Sequence, residues 1–224
     1  MKIDILTLFP SMFDGFLSSS IIKRAIDKKL VEINIINFRE YTKDPHNKVD
    51  DTPYGGGSGM VLMVQPIYDA VMALKNDDTK VILLSPDGTP YNQKKAYELK
   101  KYKHLIIFCG HYEGFDDRIR SIVDFTISIW DYVLTGGELP SMIITDTVVR
   151  LIDGVIDEES HINDSFNPET NLLDYPTYTK PREFMGMKVP DVLLSGNHKE
   201  IEKYRMNESL KKTQEIRPDR KSVV

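Results

Sequence analysis

Short apolar runs separated by amphipathic stretches set the rhythm of the first 150 residues. Ile3–Phe9, Val31–Phe38, Val81–Leu84, Leu105–Cys109 and Val123–Ile129 are dense in Ile, Leu, Val and Phe and predict strands. Phe13, Phe16, Leu17, Ile21 and Ala25 recur at helical spacing after Pro10 and the candidate cap Ser11. Ile67, Ala70, Val71 and Leu74 do the same behind Pro66, which is expected to be the first helical residue. Shorter helices are predicted over Asn92–Lys101 and Asp116–Ser121, and Pro140 opens another that runs to Ile152, with Gly154 beyond its end. Strands that alternate with helices predict an α/β domain, a parallel sheet with helices on both faces.

The breaks in this rhythm hold the candidate chemistry. Leu105–Cys109 stops at Gly110, and Val123–Ile129 leads into Trp130, Asp131 and then Gly136-Gly137. In α/β proteins ligands gather outside the carboxyl ends of strands, where glycine lets the backbone come close to the ligand. Ordinary tight turns have the same composition. The first strand is followed by Phe9-Pro10-Ser11 rather than G-x-G-x-x-G, which argues against a dinucleotide fold. A long polar loop, Arg39–Met60, carries Gly55-Gly56-Gly57-Ser58-Gly59. That run lacks the lysine of a nucleoside-triphosphate loop, but its backbone amides could meet an anion or a base, and a flexible linker is an equal reading. Between residues 153 and 164 the charged residues are all acidic: Asp153, Asp157, Glu158, Glu159 and Asp164. A proline-containing stretch to Pro190 reads as an extended linker. Asn197 with Glu200 three residues on predicts a capped helix to about Ile216.

Composition narrows the picture little. Of 224 residues 41% are hydrophobic and 28% charged, as in ordinary globular chains. The net charge of −5 is uneven: residues 197–224 hold eight Lys/Arg and five Asp/Glu, a net of +3, which leaves −8 on the rest. A basic tail can touch phosphate, or can simply be a solvated helix. Cys109 is the only cysteine, so neither an internal disulfide nor a cysteine zinc cluster is expected, in keeping with a reducing cytoplasm. No apolar run approaches the length of a membrane span, and MKIDILTLFP has no signal-peptide pattern.

Taken in order, the strings YGGGSGMVLM (54–63), LLSPDG (83–88), CGHYEGFDDR (109–118), SIWDYVLTGGELP (128–140), NDSF (163–166), LLDYPTYTKP (172–181) and GMKVPDVLLSGNH (186–198) are specific as a set. The chain resembles the bacterial tRNA (guanine-N1)-methyltransferase family from its first strand into its C-terminal helix. The resemblance implies a SPOUT-type α/β fold, a parallel sheet tied in a deep trefoil knot, followed by a small helical C-terminal domain. It implies a methyltransferase domain over residues 1–157, a linker over 158–175 and a tRNA-binding domain over 176–224. It also implies a homodimer with shared active sites, and transfer of a methyl group from S-adenosylmethionine to N1 of guanosine 37, next to the anticodon of tRNA.

The same resemblance implies a cofactor pocket built from Leu83, Leu84, Ser85 and Pro86; Gly110, Tyr112, Glu113 and Gly114; and Ile129, Trp130, Asp131, Tyr132, Val133, Leu134, Gly136, Gly137 and Pro140. Glu113 is a candidate partner for the cationic part of the methionine moiety, or for a Mg²⁺. Trp130 departs from the family pattern, which commonly has Gly there, so its ring must point away from the ligand or reshape the pocket. Candidate tRNA contacts are Lys48, Asp50, Pro53, Tyr54, Gly55, Gly57 and Gly59 in the long loop, and Asp174, Ser195, Gly196, Asn197, His198 and Arg205 downstream.

N1 of guanine carries a proton, and its loss spreads negative charge toward O6. The site therefore needs a base near N1 and a cation or donor near O6. The resemblance implies Asp164 as the base and Arg150 as the charge-stabilising residue. Cys109 sits on a buried strand and is rejected as a methyl carrier. The five histidines show no metal-ligand spacing; His111 and His198 lie in matched strings and are either contacts or satisfied structural histidines. Two alternatives remain at this level: a SPOUT enzyme acting on ribose or another RNA, and an RNA-binding protein without catalysis.

Overall fold

The computed structural model describes residues 1–157, 160–161 and 164–220. Asn163, the first residue of the NDSF string, lies outside the described residues, as do Glu158 and Glu159 of the acidic run, Ile162, and the last four residues of the expected C-terminal domain. The chain divides into two compact units, Met1–Ile156 and Asp157–Val224.

The first unit is built on a parallel sheet. In chain order its strands are β1 (Lys2–Thr7), β2 (Glu32–Asn37), β3 (Asp50–Asp51), β4 (Val61–Leu62), β5 (Thr79–Pro90), β6 (His104–Phe108) and β7 (Phe125–Ser128). Five of these form one sheet in the order β2-β1-β6-β5-β7, and every pairing is parallel. Leu105, Ile106, Ile107 and Phe108 in β6 are fully or almost fully buried. Such unbroken apolar runs are what a strand covered on both faces requires.

Helices supply the two covers: α1 (Asp14–Leu17), α2 (Ser20–Asp27), α3 (Val64–Leu74), α4 (Gln93–Leu99) and α5 (Glu138–Val149). Ile3, Ile5, Leu105, Ile107 and Ile127 pack on one face with Ile22 and Ala25 of α2, Leu99 of α4 and Ile144 and Val148 of α5. Leu6, Val81, Leu83, Ile106 and Phe108 pack on the other with Ile67, Ala70 and Val71 of α3, together with Phe38 and Ile119.

Several boundaries differ from the sequence reading. The helix expected after Ser11 is broken into a 3₁₀ turn, Pro10–Phe13, then α1 and α2, and Ser20 takes a positive φ of 53° at the break. Pro66 and Pro140 are third, not first, in their helices. A proline fits there because the first-turn N–H groups have no intrahelical acceptor. The turn expected at Ser85–Gly88 is a register break inside β5, which pairs with β7 again at Thr89 and Pro90. The loop Arg39–Met60 contains the short antiparallel β3–β4 pair.

In the second unit, residues read as linker include a two-stranded hairpin, β8 (Glu183–Phe184) and β9 (Met187–Lys188). Each strand has two exposed residues, too short for a pattern, and Met185 and Gly186 both adopt positive φ at its tip. After α6 (Asp191–Leu194), Asn197 accepts the backbone N–H of Glu200 at 3.4 Å and opens α7 (His198–Ile216), as its capping pattern predicts. Residues 164–175 run against α7: the Leu173 N–H donates to Thr213 Oγ1 at 2.9 Å, and Lys212 Nζ to the Asp174 carbonyl at 3.0 Å.

A buried polar group closes the amino ends of the central strands. Asp4, fully buried in β1, meets His104 Nε2 at 2.9 Å, Lys2 Nζ at 2.9 Å and Asn34 Nδ2 at 2.8 Å. His104 Nδ1 meets Thr79 Oγ1 at 2.7 Å, so one chain of contacts crosses four adjacent strands. An Asp4→Ala substitution leaves the donors on three neighbours without this acceptor, and removing one partner of such a buried pair costs about 3 kcal/mol or more. Urea unfolding is expected to show that loss of stability. A midpoint unchanged from wild type would show that the group contributes nothing.

Candidate active site

Three of the parallel strands deliver their carboxyl ends to one cavity of about 440 Å³. Leu84, Ser85 and Pro86 line it from β5, Gly110 and the segment 111–115 from the end of β6, and Ile127 through Trp130 from β7 and beyond. The turn 132–137 and Pro140 at the start of α5 complete the wall. The volume falls in the range of small-molecule sites, about 300–1,000 Å³.

Glycines decide how closely these segments meet. A Cβ on Gly137 would lie 2.6 Å from Cys109 Cα and 2.9 Å from the Gly110 nitrogen. The Gly137 N–H instead donates to the Gly110 carbonyl at 2.9 Å, which joins the end of β6 to the N-cap of α5. A Cβ on Gly88 would sit 2.5–2.7 Å from the Ile127 backbone, so residues 85–90 can lie flat on β7. Both are contacts of backbone on backbone, which no rotamer change relieves.

The floor is apolar and the rim is charged. Leu84 and Ile127 are buried, whereas Tyr132, Trp130 and Val133 are exposed at the mouth. Trp130 thus lines the cavity while 61% exposed as a residue, held in a turn in which Tyr132 N donates to Trp130 O and Ser128 Oγ to the same oxygen. Arg120 crosses the rim, 2.7 Å from Asp87 and 2.6 Å from Asp117, and so ties the register break of β5 to the segment after β6. The Ser85 hydroxyl, with the charge of Arg120 beside it, holds the Asp87 carboxyl below the usual range. His111, Phe115, Asp117, Arg120, Ser128 and Thr135 also line the cavity and were not among the expected cofactor contacts. Phe115, Asp117, Ser128 and Thr135 share with His111 a place in the matched strings, but only His111 is singled out there as a contact. Leu83 and Asp131, expected there, are elsewhere: Leu83 is fully buried in the α3-side core, and Asp131 is exposed outside the lining.

Cys109 is fully buried beneath the site, and burial, then the nearby Glu138 charge, pushes its thiol far above the usual range. A thiol so held is a poor nucleophile. Glu113 is exposed on the lining, and its N–H donates to the Met60 carbonyl at 3.1 Å. This contact docks the glycine run against the pocket. Gly55, Gly57 and Gly59 all adopt positive φ, and Lys48 and Tyr54 are exposed while Asp50 and Pro53 are half-buried. Among the described residues no group of three or more His, Cys, Asp or Glu could hold a metal ion. A Mg²⁺ at Glu113 would take its other oxygens from ligand and water, as that ion commonly does.

Arg150 caps the C-terminal end of α5 in the first unit. Asp164 belongs to the second, where its carboxylate lies 4.0 Å from His161 Nδ1 and its carbonyl accepts the Asn167 N–H. In that unit Asp174 is half-buried, Ser195, Gly196, Asn197 and His198 are exposed at the head of α7, and Arg205 lies 4.8 Å over the Tyr175 ring.

A parallel sheet with helices on both faces and a glycine-lined cavity of small-molecule size beside β5, β6 and β7 defines the class: an α/β protein. The family model for tRNA (guanine-1)-methyltransferase TrmD matches residues 1–222. Proteins named tRNA (guanine-N(1)-)-methyltransferase are similar throughout. The one from Bacillus pumilus is 58% identical over 224 residues, covering 98% of this chain and 91% of its own. That from Malacoplasma penetrans is 57% identical over 219 residues, covering 98% and 96%, and that from Shouchella clausii 56% over 223, covering 98% and 91%. The chain belongs to the tRNA (guanine-1)-methyltransferase TrmD family.

A Gly137→Ala substitution tests the closure between β6 and α5. The added carbon has only backbone to displace, so a loss of stability of about 1–3 kcal/mol is expected, the scale of overpacking. Thermal unfolding measures it, and a wild-type melting temperature would mean that the turn relaxes freely.

Proposed function

We propose that this chain, a tRNA (guanine-N1)-methyltransferase by family, transfers the methyl group of S-adenosylmethionine to N1 of guanosine 37 in tRNA. The observation that carries the reading is the glycine-lined cavity at the ends of β5, β6 and β7, in a chain that matches the family over residues 1–222. When bound, the cofactor supplies a methyl group on a positively charged sulfur.

The residues present fit such a group. Leu84, Ile127 and Ile129 offer apolar surface to an adenine ring, and the cradle that a Cβ at Gly137 would disturb brings backbone N–H and C=O groups within reach of its edge. Glu113 offers a carboxylate to the ammonium or sulfonium charge. Asp164 takes the N1 proton of guanine, and Arg150 offsets the charge that grows toward O6. The loop carrying Tyr54 and the glycine run receives the unstacked guanosine. The exposed Lys199, Lys203, Arg205 and Lys211 of α7 offer positive charge to the anticodon stem.

Three further features belong to the proposal. A trefoil knot enters the proposal through the family match and the parallel sheet. Residues 176–220, with α7 as their longest element, serve as the tRNA-binding domain. A homodimer is supported by exposed apolar side chains on the 3₁₀ turn and α5, namely Phe9, Met12, Leu139 and Ile143, which a second copy would cover. Among the described residues no helix is long and apolar enough to cross a membrane. The substrate would place the protein in the cytoplasm.

Labelled S-adenosylmethionine and unmethylated tRNA with guanosine at position 37 test the reading. Wild type is expected to yield N1-methylguanosine, and Asp164→Ala to lower the rate by about 10²-fold or more, the scale of a lost general base. Methylation at a ribose or at another base would replace the substrate assignment. An undiminished Asp164→Ala rate would keep the enzyme and remove Asp164 as its base.

A further inference from the structure

Behind the cavity wall lies a buried polar relay. Glu138 is 1% exposed, in the first turn of the twelve-residue α5. Its Oε1 lies 2.6 Å from Thr7 Oγ1 and its Oε2 2.6 Å from His111 Nε2. The relay therefore joins β1, through Thr7 behind the lining, to two segments that line the cavity: the one after β6, through His111, and the start of α5.

Hydrogen-bond bookkeeping fixes the direction of each contact. The Phe9 N–H donates to Thr7 Oγ1 at 2.9 Å, which leaves the hydroxyl its proton and one lone pair, and a carboxylate, which can only accept, takes the proton at Glu138 Oε1. The first turn of a helix favours a negative group, which makes Glu138 an acceptor at Oε2 as well. The ring proton of His111 then sits on Nε2, because an acceptor opposite one ring nitrogen selects the tautomer. The ring is also held in place. It lies 4.6 Å from the Phe9 ring, centroid to centroid, and a Cβ on Gly136 would come within 2.3–2.6 Å of His111 Cε1, His111 Nε2 and Glu138 Oε2. The other ring nitrogen, Nδ1, has no hydrogen bond among the described residues, and His111 lines the cavity.

We propose that Glu138 is a positioning residue for the cofactor pocket, acting through His111: it holds the Nε2–H tautomer and the ring plane, so that Nδ1 is offered to the ligand as a hydrogen-bond acceptor. The ligand group that it suits is an N–H donor, such as an amino or ammonium group. The inference rests on the reading of this cavity as the S-adenosylmethionine site. The buried carboxylate does no chemistry on the methyl group; Thr7 supports it from β1.

The test uses Glu138→Gln, which keeps size and shape. Its amide oxygen can still accept from Thr7, but its NH₂ now faces His111 Nε2 and selects the opposite tautomer, with the proton on Nδ1. A purely structural role would survive this change. Isothermal titration of the folded full-length protein with S-adenosylmethionine is expected to show Kd raised about tenfold in Glu138→Gln, the scale of one lost charge-assisted contact. His111→Gln can keep a donor toward Glu138 while removing Nδ1, and is expected to weaken binding to a similar degree. The double variant should then bind no more weakly than His111→Gln alone, because Glu138 acts only through the ring.

Additive effects of the two substitutions, or wild-type affinity in Glu138→Gln, would overturn the proposal while leaving the cofactor reading intact. Absence of S-adenosylmethionine binding by wild type would overturn that reading and the proposal with it. Nitrogen NMR of His111 in the wild-type protein reads the tautomer without any substitution. A proton on Nε2 is expected, and one on Nδ1 would overturn the assignment even if the variants failed to fold.

Discussion

The cavity depends on a close approach between two stretches of bare backbone. The N–H of Gly137 donates to the carbonyl of Gly110, with no room for a side chain between that turn and Cys109. This contact sets where α5 begins relative to the end of β6. The cavity, the burial of Glu138 and Cys109, and the placing of Arg150 at the far end of α5 all follow from that starting point. A second contact of the same kind, Gly88 on Ile127, brings the second half of β5 down onto β7. Backbone contacts of this sort are rigid and cannot be relaxed by changing a rotamer, so the cavity keeps its shape without help from the polar side chains at its rim.

Polar groups fall at the two opposite ends of the sheet with different physics. At the amino ends Asp4, His104 and Thr79 are buried together and satisfy one another. At the carboxyl ends Thr7, Glu138 and His111 are arranged similarly, but His111 has one face on the cavity. Around it the rim is salt-bridged and exposed, with Arg120 between Asp87 and Asp117. Solvent screens those rim pairs, so they set the position of loops more than they add stability. The buried relay has no such screening, and a substitution within it is felt at the cavity wall.

The second unit follows a different logic. It has little sheet and a small apolar interior, and its order comes from residues 164–175 laid along α7. Thr213 accepts the Leu173 N–H, Ser209 donates to the Leu173 carbonyl, and Phe166 lies under Arg220, 4.2 Å from its centroid. Side-chain hydroxyls here do what a core does elsewhere: they give the backbone of an irregular strap its hydrogen-bond partners. The exposed face of α7 is left with Lys199, Lys203, Arg205 and Lys211 toward solvent.

Much of this was legible in the residues. Apolar runs located four of the five sheet strands to within two residues at each end and the buried first half of β5, because strand segments covered on both faces are apolar. Asn197 with Glu200 announced α7, since capping chemistry is local. Gly110, Gly136 and Gly137 marked the turns at the strand ends, and the ordered strings carried the family. What depends on contact between distant residues was not legible. The register break inside β5 exists because β7 lies beside it; the hairpin Glu183–Lys188 has two residues per strand and no periodicity to read. Glu138 read as one more acid in a helix and Thr7 as one more strand residue, 131 positions apart. Sequence determined which segments would be buried, because burial is written in the apolar pattern of each segment. Only the tertiary structure decided which polar atoms would meet, because a hydrogen bond between strand, turn and helix depends on where three ends arrive, and no local pattern records that.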